Sequence, residues 1–341
     1  MTQPRVKIRT VAEAAGVSVT TVSLVLNNVP SARVSAETRE RIHQAARRLG
    51  YVPNEVARQL RSQRTKALGL LGDEVTTTPF AGRMVLGAQE AASKHGWLLM
   101  LLNSGLDPEL ERKEIAALIR GRVDGLLYTT MYHRVVRVPD QLRTMPTVLL
   151  DAEDETTDVP SVVPDEQDGA YLATKELLNH GHRRIGFINH SGDIPATWGR
   201  LNGYRRGLAE AGVPFAPELV VPVPPVAREG YGATLRLLGA ERRPTALFCF
   251  NDRVAMGAYQ AAAALGLRIP ADVSIIGFDD QQEISEGLLP GLTTVALPHY
   301  EMGAWAVDAL IARILDPQTP VERVLLPCPV VRRGSVGPPA F

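Results

Sequence analysis

The chain has 341 residues, more than a typical single domain, and its hydrophobic content of 45% and charged content of 22% exclude wholesale disorder. Its two cysteines, Cys249 and Cys328, exclude a disulfide framework, and no run approaches the roughly 18 apolar residues of a membrane-spanning helix. The first ten residues also lack the apolar stretch of a signal peptide, so we expect a cytoplasmic protein without a membrane partner.

The formal net charge of zero conceals an uneven distribution. Residues 1–66 hold 12 Lys and Arg against four acids, whereas the other 275 residues hold 25 basic against 33 acidic groups. A basic segment joined to an acidic body indicates contact with a polyanion such as nucleic acid. The alternative is a helical segment whose arginines only face solvent.

Three helices are predicted in the first 50 residues, and Thr10, Ser18 and Ser35 are their expected N-caps. Two short helices joined by about three residues, with a third as support, are typical of a helix-turn-helix domain. A further short helix is predicted over residues 54–62, followed by a polar linker. A helix of this length is marginal in water by itself, so its order depends on what it contacts.

The second helix, over Val19–Leu26, is rich in valine and threonine, which usually prefer strands. At helical spacing, however, Val22 and Val25 share one face and Leu24 lies on the other side. We therefore expect Leu24 to face away from the core of the domain.

From residue 67 onward, short apolar runs alternate with helical patterns. Seven runs are predicted strands: "ALGLL", "WLLMLLN", "DGLLYTT", "PTVLLD", "RRIGFIN", "TALFCFN" and "DVSIIGFD". Strands separated by helices predict two doubly wound parallel sheets, divided near residues 155–165, with the chain crossing back near 280–300. The expected fold class is α/β, with a three-helix amino-terminal head and a body of two doubly wound parallel-sheet subdomains. In such sheets, ligands bind beyond the carboxyl ends of the strands.

The sequence lacks the common motifs of catalysis and cofactor binding. It contains no G-x-G-x-x-G after the first strand, no G-x-x-x-x-G-K-[ST] and no G-x-S-x-G. His180 and His182 lie at a helix end without a cysteine or carboxylate set, which favours a polar cluster over a metal site. We therefore expect neither an enzyme nor a bound cofactor or metal.

Motifs in both parts of the chain resemble the LacI/GalR family of bacterial transcriptional regulators. They are "RTVAEAAGVSVTTVSLVLNN", "VSAETRERIHQAARRLGYVPNEVARQLRSQRT", "GHRRIGFI", "RLNGYRRGLAEAG", "RPTALFCFND", "IPADVSIIGFDD" and "LTTV". The resemblance spans about residues 6–335. It implies a DNA-binding domain over residues 1–52, a hinge helix and linker over 53–66, and an effector-binding and dimerisation domain over 67–341. The last of these is similar to periplasmic sugar-binding proteins of type I.

The resemblance implies that the second helix enters the major groove of double-stranded operator DNA. The residues expected to contact DNA are Thr10, Ser18, Val19, Thr20, Thr21, Ser23, Leu24, Asn27, Ala57 and Leu60. Relatives often carry arginine or another polar residue at the position of Leu24. A leucine cannot hydrogen-bond to guanine but can pack against a thymine methyl group, so we expect a different operator. Segment 54–62 resembles the family's hinge helix, in which Leu60 matches a leucine that inserts into the minor groove.

The family also implies a small sugar-like effector between the two body subdomains. The expected contacts are Phe80, Tyr132, Asp151, Trp198, Arg200, Asn251 and Asp279. Five of these match family positions. Pro225 stands where some relatives have an aromatic residue, so the cleft is expected to draw instead on Tyr132, His133 or Trp198. These three residues, like Arg200, are expected in loops at the cleft. A forked guanidinium together with carboxylates can form hydrogen bonds with sugar hydroxyls. The alternative role for Arg200 and Asp279 is an ion pair between the subdomains.

The resulting expectation is a homodimeric repressor of carbohydrate-utilisation genes that leaves a palindromic operator when its effector binds. Few residues follow "VVRRGS", so we expect a dimer rather than a tetramer. One alternative is a regulator that needs its ligand as a co-repressor. A sugar-binding protein without a regulatory role would need a signal sequence and would leave the basic segment unexplained. A sugar-processing enzyme is the remaining alternative.

Replacing Leu60 with alanine tests the minor-groove assignment. The inserted side chain contributes only where the operator is kinked, whereas phosphate contacts act on any DNA. We expect Leu60→Ala to weaken binding to a selected operator by roughly tenfold or more, and binding to random DNA much less. Mobility-shift titrations of both DNAs at one salt concentration measure this, and equal losses would contradict the assignment.

Overall fold

The computed structural model describes residues 6–26, 33–51, 64–75, 81–154, 156 and 158–340. It divides into two compact units, Met1–Thr65 and Lys66–Phe341. Of the expected contact residues, Asn27, Ala57, Leu60 and Phe80 lie outside the described residues, as does the segment 54–62.

The described part of the first unit holds three helices: α1 (Ile8–Ala15), α2 (Val19–Leu26) and α3 (Ala36–Leu49). The axes of α1 and α2 differ by 103°, as in helix-turn-helix domains. Gly16 makes this turn with φ +63°, in the left-handed region that glycine adopts without strain. The helices enclose a core whose fully or nearly fully buried members are Val11, Ala12, Ala15, Val22, Val25, Ile42, Ala45 and Ala46.

Two of the three predicted N-caps are confirmed. The hydroxyl oxygen of Ser18 accepts a hydrogen bond from the amide of Thr21 at 3.1 Å, and that of Ser35 accepts one from the amide of Thr38 at 3.3 Å. The prediction for Thr10 is wrong, because α1 already begins at Ile8 after Lys7, which makes no side-chain cap.

Among the described residues, six strands form the first sheet of the second unit: β1 (Ala67–Gly72), β2 (Leu98–Asn103), β3 (Gly125–Val135), β4 (Thr147–Glu153), β5 (Ser161–Pro164) and β11 (Arg323–Leu326). Their order is β2-β1-β3-β4-β5-β11, and each strand is parallel to its neighbours. The sheet packs against α4 (Gly82–Lys94), α5 (Pro108–Arg120) and α11 (His299–Leu315).

The second sheet, in the same described part of the chain, contains β6 (Ile185–His190), β7 (Val220–Val223), β8 (Ala246–Cys249), β9 (Ser274–Asp279), β10 (Thr293–Ala296) and β12 (Val330–Val331). The order is β7-β6-β8-β9-β10-β12, and only the β10–β12 pair is antiparallel. Its helices are α6 (Glu166–Asn179), α7 (Pro195–Glu210), α8 (Ala227–Leu238), α9 (Asp252–Ala264) and the short α10 (Gln282–Ser285).

Within the described residues the chain passes between the two sheets three times. It does so after β5, after β10 and between β11 and β12. The third passage is not predicted by the sequence. We call the sheet of β1 with its helices the first subdomain and the sheet of β6 with its helices the second subdomain.

All seven predicted strands are present, as β1, β2, β3, β4, β6, β8 and β9. The strands that the sequence does not predict are β5, β7, β10, β11 and β12, each of two to four residues. Runs this short carry too little periodicity to separate a strand from a loop. The predicted helical patterns correspond to α4, α5, α6, α7 and α9, so α8, α10 and α11 are also absent from the prediction.

Within the described residues, no single helix is long and apolar enough to cross a membrane. The one candidate there is α1 and α2 taken together as a bent pair, by length and composition.

Candidate functional site

Helix α2 presents a mixed apolar and hydroxyl face outside the core of the first unit. Val22 and Val25 are fully buried, whereas Val19 is 42% exposed. Thr20 is exposed and Leu24 is partly exposed. The expectation that Leu24 is not a core residue is therefore confirmed, and α2 offers several of its expected base-contacting side chains to a partner.

The start of α2 is capped by Ser18 and carries no opposing charge. The hydroxyls of Ser18 and Thr21 lie 2.8 Å apart, and the first turn contains no acidic residue. The positive end of the helix dipole and its amide groups therefore suit a phosphate, a group that fixes register on DNA. Ser23 is partly exposed on the same helix, and Thr10 is exposed on α1.

In the second unit, polar side chains converge where the strands of both sheets end. Asp151 lies near the end of β4 and Asp279 is the last residue of β9. Their φ angles are +57° and +106°, a conformation that is rare outside glycine and that concentrates at functional sites. We call the space between them, lined by residues of both subdomains, the cleft.

Arg200 lies on α7 and is 3% exposed. Its Nε donates to Glu166 at 2.6 Å and its Nη2 donates to the other oxygen of the same carboxylate at 3.2 Å. Nη1 donates to the carbonyl oxygen of Phe250, and Nη2 lies 3.6 Å from Asp279. All three partners belong to the second subdomain, so the alternative expectation of an ion pair between subdomains is wrong for Arg200 and Asp279.

Two further expectations about Arg200 and Trp198 need correction. Both residues were expected in a loop, but α7 begins at Pro195, so both lie in its first two turns. Trp198 is 53% exposed, and its indole nitrogen donates to Asp193 at 2.6 Å. Trp198 is not among the residues that line the cleft.

Glu166 is the site residue that the sequence did not reveal. It is the first residue of α6 and follows the N-cap Asp165, and it is 6% exposed. An acid in the first turn of a helix is ordinarily explained by the helix dipole, so nothing local signals that it pairs with an arginine 34 residues away.

The first subdomain contributes Asp151 and His133 to the cleft. Asp151 is 4% exposed, and its Oδ1 has no hydrogen-bond partner among the described residues. Burial, with a smaller contribution from the nearby Glu166, raises the pKa of Asp151 to about 7 against the opposing effects of His133 and Arg200. Burial alone would lower the pKa of His133, but Glu153, Asp151 and Glu166 outweigh it and raise that pKa.

Two other expected effector contacts are also occupied by protein groups. The amide oxygen of Asn251 accepts from the amide of Val254 at 2.9 Å, and its nitrogen donates to the carbonyl oxygen of Pro225 at 3.3 Å. The hydroxyl of Tyr132 accepts from Arg253 of the second subdomain at 3.0 Å. Asn251 therefore acts as a helix cap, whereas Tyr132 links the two subdomains at the cleft.

Two of the cavities that the described residues enclose at this end of the sheets share part of their lining. The cleft holds about 20 Å³, room for about one water molecule, and its lining comprises Met131, Tyr132, His133, Asp151, Glu166, Ala196, Arg200, Phe250, Asp279, Leu297 and His299. A larger cavity of about 440 Å³ lies against the chain passages after β10 and β11, and Asp279 and His299 line both. Burial lowers the pKa of His299 to about 4, and Arg200 and Arg83 add to the shift, so its imidazole is neutral at pH 7.

The histidine pair at the end of α6 lies in a hydrogen-bonded cluster, as expected. His182 is 1% exposed and hydrogen-bonds to Thr245 at 2.9 Å and to Ser274 at 3.0 Å. The described residues contain no group of three or more His, Cys, Asp or Glu that could hold a metal ion.

Comparisons with known proteins match both units. The family described as "Bacterial regulatory proteins, lacI family" matches residues 7–54, and "Periplasmic binding protein-like domain" matches residues 174–336. The ribose operon repressor of Haemophilus influenzae is 34% identical over 96% of this chain and 98% of its own length.

Two solved structures are similar to most of the chain. A lac repressor dimer bound to operator and the anti-inducer ONPF is 28% identical with a TM-score of 0.75, covering 98% of this chain and 100% of that one. A LacI family transcriptional regulator from Enterococcus faecium with bound ribose is 27% identical with a TM-score of 0.67, covering 80% of this chain and 99% of that one.

Replacing Leu24 with arginine tests the proposed base contact. An arginine can donate two hydrogen bonds to guanine, whereas leucine can only contact a thymine methyl group. We expect Leu24→Arg to change the preferred base at one position of each half-site when binding sites are selected from random DNA. The control is Gln44→Arg, which adds the same charge on the exposed surface of α3 and should strengthen binding without changing the selected sequence. An unchanged motif for Leu24→Arg would contradict the assignment.

Proposed function

The chain belongs to the LacI family of bacterial regulatory proteins, and we propose that it is a homodimeric repressor released from a palindromic operator by a small sugar-like effector. The observation that carries the effector assignment is the meeting of Asp151 of one subdomain with Glu166, Arg200 and Asp279 of the other. Such a site can respond to a ligand by a change in how the subdomains close.

The DNA-binding part of the proposal rests on α2 and on charge. The helix keeps Val22 and Val25 in its core and leaves Val19, Thr20 and Leu24 accessible, and residues 1–66 carry a large excess of basic groups. The structurally similar lac repressor is bound to operator DNA, which supports the same partner for this chain.

We assign the effector to the cleft rather than to the larger cavity, although only the latter has the volume of an ordinary ligand site. The cleft lies at the carboxyl ends of strands from both sheets, where ligands of parallel α/β folds bind. It also contains a buried carboxylate oxygen that has no partner among the described residues. The ribose-bound relative supports a sugar as the class of ligand. A cleft with room for one water molecule then corresponds to the closed state, which must open to admit the effector.

The proposed dimer contact is strand β2. It is an edge strand of the first sheet, and Leu98, Met100 and Leu101 are 63%, 39% and 39% exposed. An exposed apolar edge strand is an aggregation hazard unless another surface covers it. A second copy of the chain would cover it, consistent with the dimer of the similar lac repressor.

The relatives are regulators, and we propose that this chain likewise catalyses no reaction and acts in the cytoplasm, where its operator is. The alternative in which ligand promotes operator binding uses the same cleft and differs only in which closure state binds DNA. Adding ligand to a preformed complex with operator distinguishes release from strengthening.

Arg200→Ala tests the coupling between the cleft and DNA. We expect the variant to bind a selected operator but to lose release by the sugar that acts on the unmodified protein, found by screening mono- and disaccharides including ribose and cellobiose. Removing the guanidinium leaves Glu166 and Asp279 buried without their counter-charge, so stability should fall by about 3–5 kcal/mol.

Mobility shifts and thermal unfolding measure the two effects. The control is Arg236→Ala on the exposed side of α8 in the same subdomain, which should retain both release and stability. If the ligand still releases Arg200→Ala from the operator as it releases the unmodified protein, the assignment of the effector to the cleft is contradicted.

Leu98→Lys tests the dimer contact. Burying an ammonium group at the interface should raise the dimer dissociation constant on the order of a hundredfold. The matched control is Leu325→Lys, because Leu325 is 60% exposed on β11 at the opposite edge of the same sheet. Sedimentation at several concentrations measures the effect. Dissociation by Leu325→Lys, or a dimer unaffected by Leu98→Lys, would reject β2 as the contact.

A further inference from the structure

Arg200 has most of its hydrogen-bonding groups engaged by the protein. A guanidinium has five N–H groups. The hydrogen bonds to Glu166 and Phe250 engage Nε, one hydrogen of Nη1 and one hydrogen of Nη2, and Nη2 also forms an ion pair with Asp279 at 3.6 Å. One N–H on Nη1 and one on Nη2 therefore make no hydrogen bond to the described residues, but the fork of Nε and Nη2, which would bind a carboxylate or phosphate, already holds Glu166.

The position of this guanidinium is also fixed by stacking. Its central carbon lies 4.2 Å from the ring centre of Phe250 and 3.7 Å from that of Phe278. Rotating Arg200 toward a ligand would break both aromatic contacts and the pair with Glu166. The charge of Arg200 is therefore already compensated by protein carboxylates and is not available to pair with an anionic ligand.

Carboxyl groups outnumber guanidinium groups among the described residues that line the cleft. Of the described residues that line it, Asp151, Glu166 and Asp279 are carboxylates and Arg200 is the only guanidinium. His299 is neutral, as argued above, and His133 supplies at most one further positive charge. Arg253 is nearby but does not line the cavity, and it donates to the hydroxyl of Tyr132.

An atom that lacks a partner indicates what the ligand must offer. Oδ1 of Asp151 accepts no hydrogen bond from the described residues. Asp151 is 4% exposed. A buried acceptor with no partner costs about 1–3 kcal/mol, so the complementary ligand carries donors.

We propose that the cleft selects a polyhydroxylated ligand that carries an ammonium group, such as an amino sugar, and excludes anionic sugars, because Glu166 occupies the fork of Arg200. This inference rests on the proposed sugar-effector function and names its class. An ammonium group placed between Asp151 and Glu166 satisfies the unpartnered oxygen and offsets the charge of two carboxyl groups that line the same cavity. Ligand charge thereby contributes to closure itself.

The test uses three sugar skeletons in three charge states. These are glucose, galactose and mannose, their 2-amino forms and their uronic acids, each assayed with the full chain by thermal shift and titration calorimetry. Within the skeleton that binds, we expect the amino form to bind roughly tenfold tighter than the neutral form, and the uronate to show no shift.

Two cleft variants separate the charge argument from a general loss of folding. Glu166→Gln releases the fork of Arg200, so it should lose the preference for the amino sugar and gain binding of the uronate. Asp151→Asn should lose the same preference without gaining uronate binding, since Arg200 stays paired. The control, Glu241→Gln, removes one charge from an exposed turn of the second subdomain and should leave the order of the three ligand affinities unchanged.

The possible failures are distinguishable. The charge inference is overturned if the uronate binds the unmodified chain as tightly as the amino sugar does, or if Asp151→Asn leaves the order of ligand affinities unchanged. Either result leaves the sugar-effector function standing. If none of the nine sugars, nor ribose or cellobiose, shifts the melting temperature while operator binding is intact, the sugar-effector function itself fails, and the inference with it.

Discussion

The buried ion network of Glu166, Arg200 and Asp279 is the constraint on which the candidate effector site depends. A guanidinium that is 3% exposed must be fully paired, because an uncompensated buried charge is strongly destabilising. The pairing brings together the start of α6, the second turn of α7 and the end of β9. In the second subdomain the guanidinium that faces the cleft is therefore already paired with carboxylates before any ligand arrives.

Close helix packing makes that network possible. Gly199 and Gly203 of α7 face α6, where a Cβ at Gly203 would overlap the carbonyl oxygen of Gln167 and one at Gly199 would lie 2.8 Å from the Cβ of Glu166. A larger residue at either position would push α7 away from α6 and lengthen the contact between Arg200 and Glu166. The glycines in "WGRLNGYRRG" thus serve the charge pair as well as the packing of the two helices.

How far the sequence predicts this protein depends on how local each determinant is. Ser18 and Ser35 were predicted as caps because a hydroxyl and an amide three residues later specify the contact. The buried strands were predicted because continuous apolar runs are typical of covered parallel sheets. Glu166, by contrast, has a local explanation as a first-turn acid, and its partner is distant in sequence. Arg200 and Asp279 were identified by resemblance, but their mutual arrangement within one subdomain follows from packing that no motif encodes.

The two walls of the cleft differ in a way that makes closure responsive to ligand. The second wall satisfies its charges internally, whereas the first contains an aspartate with an unpartnered oxygen among the described residues and a pKa raised to about 7 by burial. A ligand shifts an equilibrium between open and closed states only by its difference in affinity for them, and near-complete switching needs about 5.5 kcal/mol. A typical neutral hydrogen bond contributes about 0.5–1.5 kcal/mol, and one to a charged group about 1.5–3 kcal/mol. A hydrogen bond to the unpartnered oxygen of Asp151 in the closed state, together with a few charge-assisted bonds, supplies a free-energy difference of this size. Contacts to the second wall alone would be made in both states and would not shift the equilibrium between them.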